Sequence, residues 1–327
     1  MQKEYLVDAS IPDWVKAIPS HPKQEACDEA FDAYRQARTN GGTARFKSCL
    51  ASSQTIQFKA KDFLHCTWFP RLTKGLTFKA SQPMPQECEY GTELVYQGGK
   101  WYACIPTCVD TVSTDSNRVI ALDPGNRTFL TGYDGGNILE IGKGDIGRIN
   151  RLCSHLDKLM SRIDKSLVKR ERYKMRKAAD GIRAKVQALV KDLHNKAASV
   201  LVNNYKLIFL PTYETSQMVL KSSRKINKKS ARNMLTWSHF KFAQVLGQMA
   251  ARTGVMVVRC NESYTSKTCT SCGEVHHKLG GAKVFKCPQC LSQHDRDCGG
   301  ARNIMIRALM ATSFASDGNA VLTLNTQ

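Results

Sequence analysis

The chain has 327 residues, enough for two or three domains that each bury a hydrophobic core. Its 48 lysines and arginines outnumber its 28 aspartates and glutamates, which gives a formal net charge of +20, while 42% of its residues are hydrophobic. These values argue against a disordered chain and favour a polyanionic partner, because basic side chains gain free energy by displacing counterions from phosphates. A basic surface that binds no ligand is the alternative.

The sequence gives no sign of secretion or membrane insertion. Its start, "MQKEYLVDASIPDW", is charged from position 3 and lacks an apolar signal segment, and the runs "LIFL" and "VMVV" are too short to span a bilayer. We therefore expect an intracellular, soluble protein, in the nucleus of a eukaryotic or virus-infected host or in a bacterial cytoplasm. In that setting the 13 cysteines are expected to be metal ligands or small buried residues.

The first third of the chain predicts helices followed by strands. Within residues 1–48, "KQEACDEAFDAYRQAR" places Ala26, Phe31 and Tyr34 on one helical face. Residues 54–112 contain short alternating runs separated by turn residues, which predicts a small antiparallel β-domain.

The middle third predicts three strands and then a basic helical hairpin. Residues 117–140 have the pattern of a strand meander. Residues 145–203 are helical in pattern, and the segment 143–191 has fifteen Lys or Arg against five Asp or Glu. Ile149, Leu159 and Ile163 share one side, so we expect an apolar seam beneath a basic face, with Gly181 as a candidate break.

The last third predicts two buried strands around a helix. "YKLIFLPTYE" and "VMVVRC" are strand-like, and "ARNMLTWSHFKFAQVLGQMAARTG" is a helix that should end at Gly254, a typical left-handed cap residue. A second basic cluster without acids covers residues 221–232. The strands and helices alternate as in an α/β domain, whose chemistry is expected at the strand ends.

Two Cys-x2-Cys pairs predict a metal site. They are separated by fourteen residues and supply four thiolates, as a tetrahedral zinc site requires: Cys269, Cys272, Cys287 and Cys290. Four protein ligands leave no open position, so this zinc should be structural and contribute on the order of 10 kcal/mol to its local fold. An iron centre and unmetallated thiols are the alternatives, and the neighbouring histidines are interpreted as loop residues.

Acids near the predicted strand and helix ends are candidates for a second metal site. Asp123 follows "VIAL", Glu214 follows "LIFLPTY", and Asp295 and Asp297 precede a predicted helix. Each alone is compatible with a turn or N-cap acid. A pair of Mg²⁺ ions would need several such oxygen ligands from different elements, and spacing alone does not establish that they converge.

Several motifs occur in the order of a known nuclease. "IALDPGNRTFLTGYD", "LPTYETSQMV", "SYTSKTCTSCG" and "VFKCPQC…HDRDCGGARNI" resemble the RuvC-like nuclease of TnpB proteins and, more closely, of their eukaryotic relatives, the Fanzor proteins. TnpB proteins are OrfB-like transposon proteins related to miniature type V CRISPR effectors. The resemblance covers residues 117–311 in detail, and more weakly the start of the chain resembles the end of that family's recognition lobe.

The resemblance implies an α/β RNase H-like (RuvC) nuclease domain with an inserted zinc ribbon, preceded by a helical remnant and a small antiparallel β-barrel-like domain. The implied boundaries are 1–48 for the remnant, 49–113 for the wedge-like β-domain, 114–262 and 291–312 for the nuclease, 263–290 for the ribbon and 313–327 for a tail.

The resemblance also implies an RNA-guided DNA endonuclease that works with a noncoding guide RNA on double-stranded target DNA carrying a short adjacent motif. It maps the catalytic Mg²⁺ ligands onto Asp123, Glu214 and Asp297, since the family's last Asp stands three residues before the Gly-Ala of "GGARNI"; Asp295 is the less favoured of the pair. A monomer without membrane contact is expected. The basic residues expected to contact phosphates of the guide–target duplex are Arg170, Arg172, Lys174, Arg176, Lys177, Lys221, Arg224, Lys225, Lys228, Lys229 and Arg232.

The sequence departs from the family pattern in two places. Gly299 stands where the family commonly has Asn, and about a hundred residues that normally precede this start are expected to be missing. These departures leave two further hypotheses: an RNA-guided DNA-binding protein that no longer cuts, and a zinc-ribbon nucleic-acid-binding protein that uses no guide.

Overall fold

The architecture is taken from a computed structural model of the chain. The structure describes residues 11–46, 48, 51, 53–74, 79–108, 110–112, 114–222, 224, 226–313 and 323–324. Two compact units divide the chain, Met1–Cys108 and Val109–Gln327. The predicted tail at 313–327 and one predicted phosphate-binding residue, Lys225, fall largely or wholly outside the described residues.

Within its described residues, the first unit contains two α-helices and two small antiparallel sheets. Helix α1 spans Asp13–Ala17 and α2 spans Ser20–Thr39. The strands are β1 (Ser53–Phe58), β2 (Phe63–Leu64), β3 (Thr67–Trp68), β4 (Thr92–Gln97) and β5 (Lys100–Cys104), paired in the orders β1-β4-β5 and β2-β3. The prediction of antiparallel strands is thereby confirmed, whereas the barrel-like form stays a prediction.

The expected apolar face of α2 is not buried in this unit. Phe31 and Tyr34 are 62% and 56% exposed, and no residue of the helix is buried. The amphipathic spacing therefore correctly predicted a helix but not a buried face.

The second unit is built on a five-stranded mixed sheet. Its strands are β6 (Val119–Pro124), β7 (Leu130–Tyr133), β8 (Ile138–Ile141), β9 (Leu207–Pro211) and β10 (Met256–Cys260), in the spatial order β10-β9-β6-β7-β8. The three strands of the predicted meander pair antiparallel, while β6, β9 and β10 run parallel. This is the strand order of an RNase H-like fold, and it brings the carboxyl ends of three strands to one edge.

Helices cover both faces of this sheet, which explains why β6 is apolar at every position before its acid. On one face, Leu122 and Ile208 pack with Leu201 and Leu246. Those helical residues belong to α4 (Lys169–Asn204) and α7 (His239–Thr253). On the other face, a smaller core contains Ala121, Phe209 and Val258 together with residues of α8 (Arg296–Ala311).

The basic segment forms two helices, α3 (Asp145–Lys165) and α4. Leu159 and Ile163 pack against Ala179 to form the expected apolar seam. The break lies at residues 166–168, where the chain turns between the helices, and Gly181 is inside a continuous helix. The prediction of a break at Gly181 was therefore wrong. One glycine lowers the stability of a helix by about 1 kcal/mol, and the other residues of a long helix outweigh that loss.

The helix predicted to end at Gly254 is in fact two helices. After the short α5 (Thr215–Met218), α6 spans Lys228–Trp237 and α7 begins at His239. Ser238 separates them with a φ of 49°, and Gly254 ends α7 with a φ of 62°, as predicted. The bend buries Trp237, whose Nε1 donates a hydrogen bond to the Asn126 carbonyl in the loop after β6.

The remaining elements form a small ribbon that leads into the last helix. Strands β11 (Val284–Lys286) and β12 (Gln293–Asp295) pair antiparallel, and α8 follows β12 directly. Short strands β13 (Thr312–Ser313) and β14 (Thr323–Leu324) pair beyond it. Within the described part of the chain, none of the helices has the length and apolar character needed to cross a membrane.

Candidate active site and cysteine cluster

The first candidate carboxylate lies at the carboxyl end of the central strand. Asp123 follows three fully buried residues of β6. Its side chain meets the first turns of α8, where a β-carbon added to Gly300 would come within 2.5 Å of Asp123 Oδ2. Burial raises the pKa of Asp123 well above its usual range, and the charges of Asp297 and Glu262 raise it further. The site therefore brings negative charge together in a poorly solvated place.

The two aspartates at the start of α8 have different roles. Asp295 Oδ1 accepts hydrogen bonds from the backbone N–H groups of Asp297 at 3.0 Å and Cys298 at 3.3 Å, which makes Asp295 the N-cap. Burial opposes ionisation, but these hydrogen bonds and the Lys283 ammonium lower the pKa of Asp295 overall. Its oxygens already have partners within the fold.

Asp297 stands in the first turn of α8, beside Asp123. Burial raises the pKa of Asp297, as does the charge of Asp295, while Arg296, Arg127 and Lys283 oppose the increase. A carboxylate with a raised pKa next to a second one is a typical candidate for a cation ligand or catalytic group.

A third acid at this edge was missed by the sequence analysis. Glu262 lies two residues beyond β10, and burial raises its pKa to about 7. Its charge also raises the pKa of Asp123, as the charge of Asp297 does. The signal in the sequence was weak: Asp123 directly follows the apolar run "VIAL", whereas three residues separate Glu262 from "VMVV". Strand β10 runs parallel to β9, which runs parallel to β6.

Glu214 lies at the same edge but in a different setting. It follows β9 by three residues, takes the N-cap position of α5 and is exposed. Its neighbour Tyr213 faces the acidic group: burial raises the pKa of Tyr213, as do the charges of Glu262, Asp123 and Asp297. Glu214 as a metal ligand stays a prediction.

The four cysteines of the two knuckles converge. All four sulfur atoms lie within 4.8 Å of one another, and the Cys269–Cys290 and Cys272–Cys287 Sγ–Sγ distances are both 3.6 Å. A tetrahedral ion with bonds of about 2.3 Å to sulfur requires sulfur–sulfur distances slightly under 4 Å. The cluster can therefore hold a metal ion without rearranging the knuckles.

The ribbon packs directly against the start of α8. The His294 ring of β12 stacks on Phe285, with centroids 4.8 Å apart. A β-carbon at Gly299 would come within 2.6 Å of that ring. Farther along the helix, Asn303 Nδ2 donates 2.8 Å hydrogen bonds to the carbonyls of Thr265 and Thr268, in the segment before the first knuckle. His294 is therefore a packing residue of this junction.

The predicted phosphate-binding residues fall on two surfaces. Along the first half of α4, Arg170, Lys174, Arg176 and Lys177 are exposed and Arg172 is half-buried. The second surface contains the exposed Lys221, Lys228 and Lys229, the half-buried Arg224 and the half-buried Arg232. Arg232 is bound to Asp157 of α3 by both guanidinium nitrogens, so it has a structural partner.

Comparisons with known proteins show a similarity to TnpB-like and Cas12f proteins. The Cas12f1-like, TNB domain family matches residues 239–304, from the start of α7 into α8. TnpB-like protein L770 of Acanthamoeba polyphaga mimivirus is 28% identical over 88% of this chain and 58% of its own length. The CRISPR-associated endodeoxyribonuclease Cas12f1 of Sulfoacidibacillus thermotolerans is 31% identical over 23% of this chain and 18% of its own.

Among solved structures, a cryo-EM structure of a CRISPR-Cas12f ternary complex aligns with a TM-score of 0.46 and 14% identity, covering 85% of this chain and 61% of that one. The chain spans 39% to 58% of the length of the first curated viral relatives that it matches.

The strand order is that of an RNase H-like α/β domain with acids at the carboxyl edge of its sheet. The matched TNB domain and the TnpB-like relatives make the chain similar to TnpB-like and Cas12f-type proteins.

Proposed function

We propose that the protein is an RNA-guided DNA endonuclease of the TnpB type that cuts target DNA at the carboxylates of the RuvC-type sheet. The observation that carries the proposal is that the charges of Asp297, at the start of α8, and Glu262, beyond β10, both act on Asp123 at the end of β6, and that all three carboxyl groups have a raised pKa. Repulsion among these carboxylates lowers the stability of the fold unless a cation or a proton neutralises their charge.

The donor set fits a hard divalent cation. Carboxylate oxygens are the ligands that Mg²⁺ favours, and Asp123 and Asp297 are the proposed main ligands. Glu262 and Glu214 are the candidates for completing a site for two ions. Bound there, Mg²⁺ would supply an activated water and stabilise the departing 3′ oxygen of the DNA.

The protein groups around this site would hold and shield it. Asp295 caps α8 and so fixes Asp297 in its first turn. Tyr213, whose raised pKa keeps its hydroxyl protonated, provides a neutral wall beside the acids. Arg296 donates a hydrogen bond to the Gly280 carbonyl at 2.8 Å, which fastens the loop between the knuckles to the start of α8.

We propose zinc for the cysteine cluster, in a structural role. The four thiols complete a tetrahedral set, so this ion would have no position for water or substrate. Its effect would reach the nuclease through β12, which ends at the capping residue Asp295.

The basic surfaces support nucleic acid partners. A net charge of +20 and the exposed basic face of α4 suit the phosphates of a guide–target duplex, which would be positioned there without base-specific contacts. By analogy with TnpB proteins, we propose that these partners are a guide RNA and a target DNA with a short adjacent motif.

The test is plasmid cleavage by the chain co-expressed with its guide RNA in Mg²⁺. Asp123→Asn and Asp297→Asn should abolish cutting, and separate Glu262→Gln and Glu214→Gln variants identify the further ligand by their loss of activity. Asp164→Asn, which changes an exposed acid of α3, is the control. Cutting that survives both aspartate substitutions would refute the proposal, and RNA-dependent DNA retention without any cutting would favour the binding-only hypothesis.

A second measurement follows metal binding itself. Asp123→Asn should raise the thermal stability of the metal-free protein, because it removes one of the mutually repelling charges. In the wild type, Mn²⁺ at about 100 times its dissociation constant should add about 2.7 kcal/mol to the free energy of unfolding. The variant should lose that gain.

A further inference from the structure

A small cavity opens beside the carboxylates, on the other face of the sheet. It has a volume of about 210 Å³ and lies between the ends of β6 and β9 and the first turns of α7. Its walls include Pro124, next to Asp123, and Tyr213, next to Glu214. Tyr213 is thus a shared wall, since it also lies within the electrostatic influence of the acidic group.

The cavity has an aromatic lining with a cationic edge. Phe242 is buried within it, while Phe240 is 70% exposed. The rings of Tyr213 and His239 meet edge to face with centroids 4.9 Å apart. Arg259 completes the lining and donates a hydrogen bond from a guanidinium nitrogen to the Pro211 carbonyl at 3.2 Å. A positive charge beside aromatic faces is the arrangement that proteins use for single-stranded nucleic acid.

One wall residue has an unused hydrogen-bonding group. His239 is only 5% exposed, and its Nε2 lies 3.3 Å from the Gly125 carbonyl. Because a carbonyl only accepts, Nε2 carries the ring proton and Nδ1 is left as an acceptor. That Nδ1 is buried and has no hydrogen-bond partner among the described residues. Because this Nδ1 is closed off from solvent, the His239 ring contributes an aromatic wall to the cavity and not a hydrogen-bonding group.

We infer that this cavity binds one unpaired nucleobase of the DNA strand whose phosphate is cut at the carboxylates. The base would lie against Phe240 and the Tyr213–His239 pair, and Arg259 would contact its phosphate. A paired and stacked base cannot enter such a cavity, so the base that binds there must be unpaired. The inference rests on the proposed nuclease function and adds a base-binding subsite beside the carboxylates.

The experiment uses the full chain and short single-stranded DNA in Ca²⁺, with 2-aminopurine placed at each position in turn. Stacking in the cavity should quench the fluorescence at one position, and an abasic site there should weaken binding about tenfold. Phe240→Ala should remove both effects without a folding cost, because the ring is exposed. Ala243→Trp, which fills the cavity, should do the same.

Leu235→Ala is the matched control, since it removes an exposed apolar side chain that does not line the cavity. No quenched position, or quenching that persists in both cavity variants, would overturn the inference. The inference and the nuclease proposal can be refuted independently. DNA cutting without fluorescence quenching at any position contradicts the inference alone, whereas quenching without metal binding or cutting contradicts the nuclease proposal.

Discussion

At the scale of single residues, the candidate site depends on a glycine. Gly300 lies where any side chain would collide with Asp123, since a β-carbon there would be 2.5 Å from Oδ2. The carboxylate cannot yield easily, because the three residues of β6 that precede Asp123 are buried in the sheet. Gly300 is therefore required for the approach of α8 to β6.

We predict that Gly300→Ala displaces the Asp123 carboxylate and abolishes the Mn²⁺-induced stabilisation. The strain should cost about 1–3 kcal/mol of unfolding free energy, as measured by urea denaturation of the metal-free protein. Gly247→Ala is the control: Gly247 is also helical and has no neighbour within 4 Å of an added β-carbon, so it should be neutral or stabilise by up to about 1 kcal/mol. Equal behaviour of the two variants would contradict the prediction.

Gly299 is explained by the ribbon rather than by the nuclease. The resemblance led us to expect Asn at this position, but the His294 ring occupies the space that its side chain would need. The stacking of His294 on Phe285 holds the ring there. The glycine at this position is thus explained by His294, which lies next to it in space.

We predict that Gly299→Asn destabilises the protein by about 1–2 kcal/mol and that adding His294→Ala recovers much of that loss. The four proteins of this double-mutant cycle would be compared by chemical denaturation with the cysteine cluster loaded with zinc. Strictly additive effects would show that the two positions do not compete for space.

The site residues differ in how far the sequence could predict them. Asp123 and Asp297 stand out because they follow or precede strong element patterns and match a family motif. Glu262 was missed because no local pattern separates it from an ordinary loop acid; only the parallel pairing of β10 with β9 brings it to the shared edge. The choice of Asp297 over Asp295 came from the resemblance, and the hydrogen bonds of the cap now give a physical reason.

At the scale of elements, the ribbon and α8 meet through one cap. Asp295 closes β12, caps α8 and has its second carboxylate oxygen 3.5 Å from the Lys283 ammonium. The position of Asp297 therefore depends on a residue that belongs to the ribbon.

We predict that Asp295→Ala lowers the free energy of unfolding by about 1 kcal/mol and weakens divalent-metal binding, because the first turn of α8 loses its cap. Asp295→Asn should keep most of the stability, since Asn is an equally good N-cap. If Asp295 were itself a metal ligand, both substitutions would weaken Mn²⁺ binding to a similar extent. Titration of Mn²⁺ against each variant distinguishes the two cases.

The elements themselves were predictable where one local signal dominates. The strand meander, the basic hairpin and the Gly254 cap follow from periodicity and residue type. The bend at Ser238 could not be predicted in this way, because tertiary packing holds this serine at a positive φ. Trp237, just before it, is buried, and the Trp237 carbonyl lies 2.8 Å from His194 Nε2. Such a bend cannot be read from helical spacing alone.

At the scale of the whole second unit, the core around Phe129 carries buried histidines. The Phe129 ring stacks on His194 at 5.2 Å and on His239 at 4.9 Å between centroids. Burial lowers the pKa of His239 to about 4, and burial likewise lowers that of His194, with the Lys241 charge adding to it. Both imidazoles are therefore neutral in the folded protein at neutral pH.

This arrangement predicts a loss of stability in mild acid. Between about pH 6.5 and pH 4 the unfolded chain binds protons on these histidines and the folded protein does not, so the free energy of unfolding falls as the pH falls. Asp123 and Glu262 act in the opposite direction, because their raised pKa values favour proton binding in the folded state. The informative quantity is consequently the difference between variants, not the wild-type curve.

We expect His194→Phe, which keeps a ring against Phe129 but cannot be protonated, to flatten the decline of unfolding free energy between pH 6.5 and 4. His155→Phe changes an exposed histidine of α3 and should leave the pH dependence unchanged. Urea denaturation at several pH values in this range, with the cysteine cluster loaded and no other divalent ion, measures both. Parallel pH profiles for the wild type and His194→Phe would contradict the prediction, because protonation of a buried ring would then contribute nothing to acid unfolding.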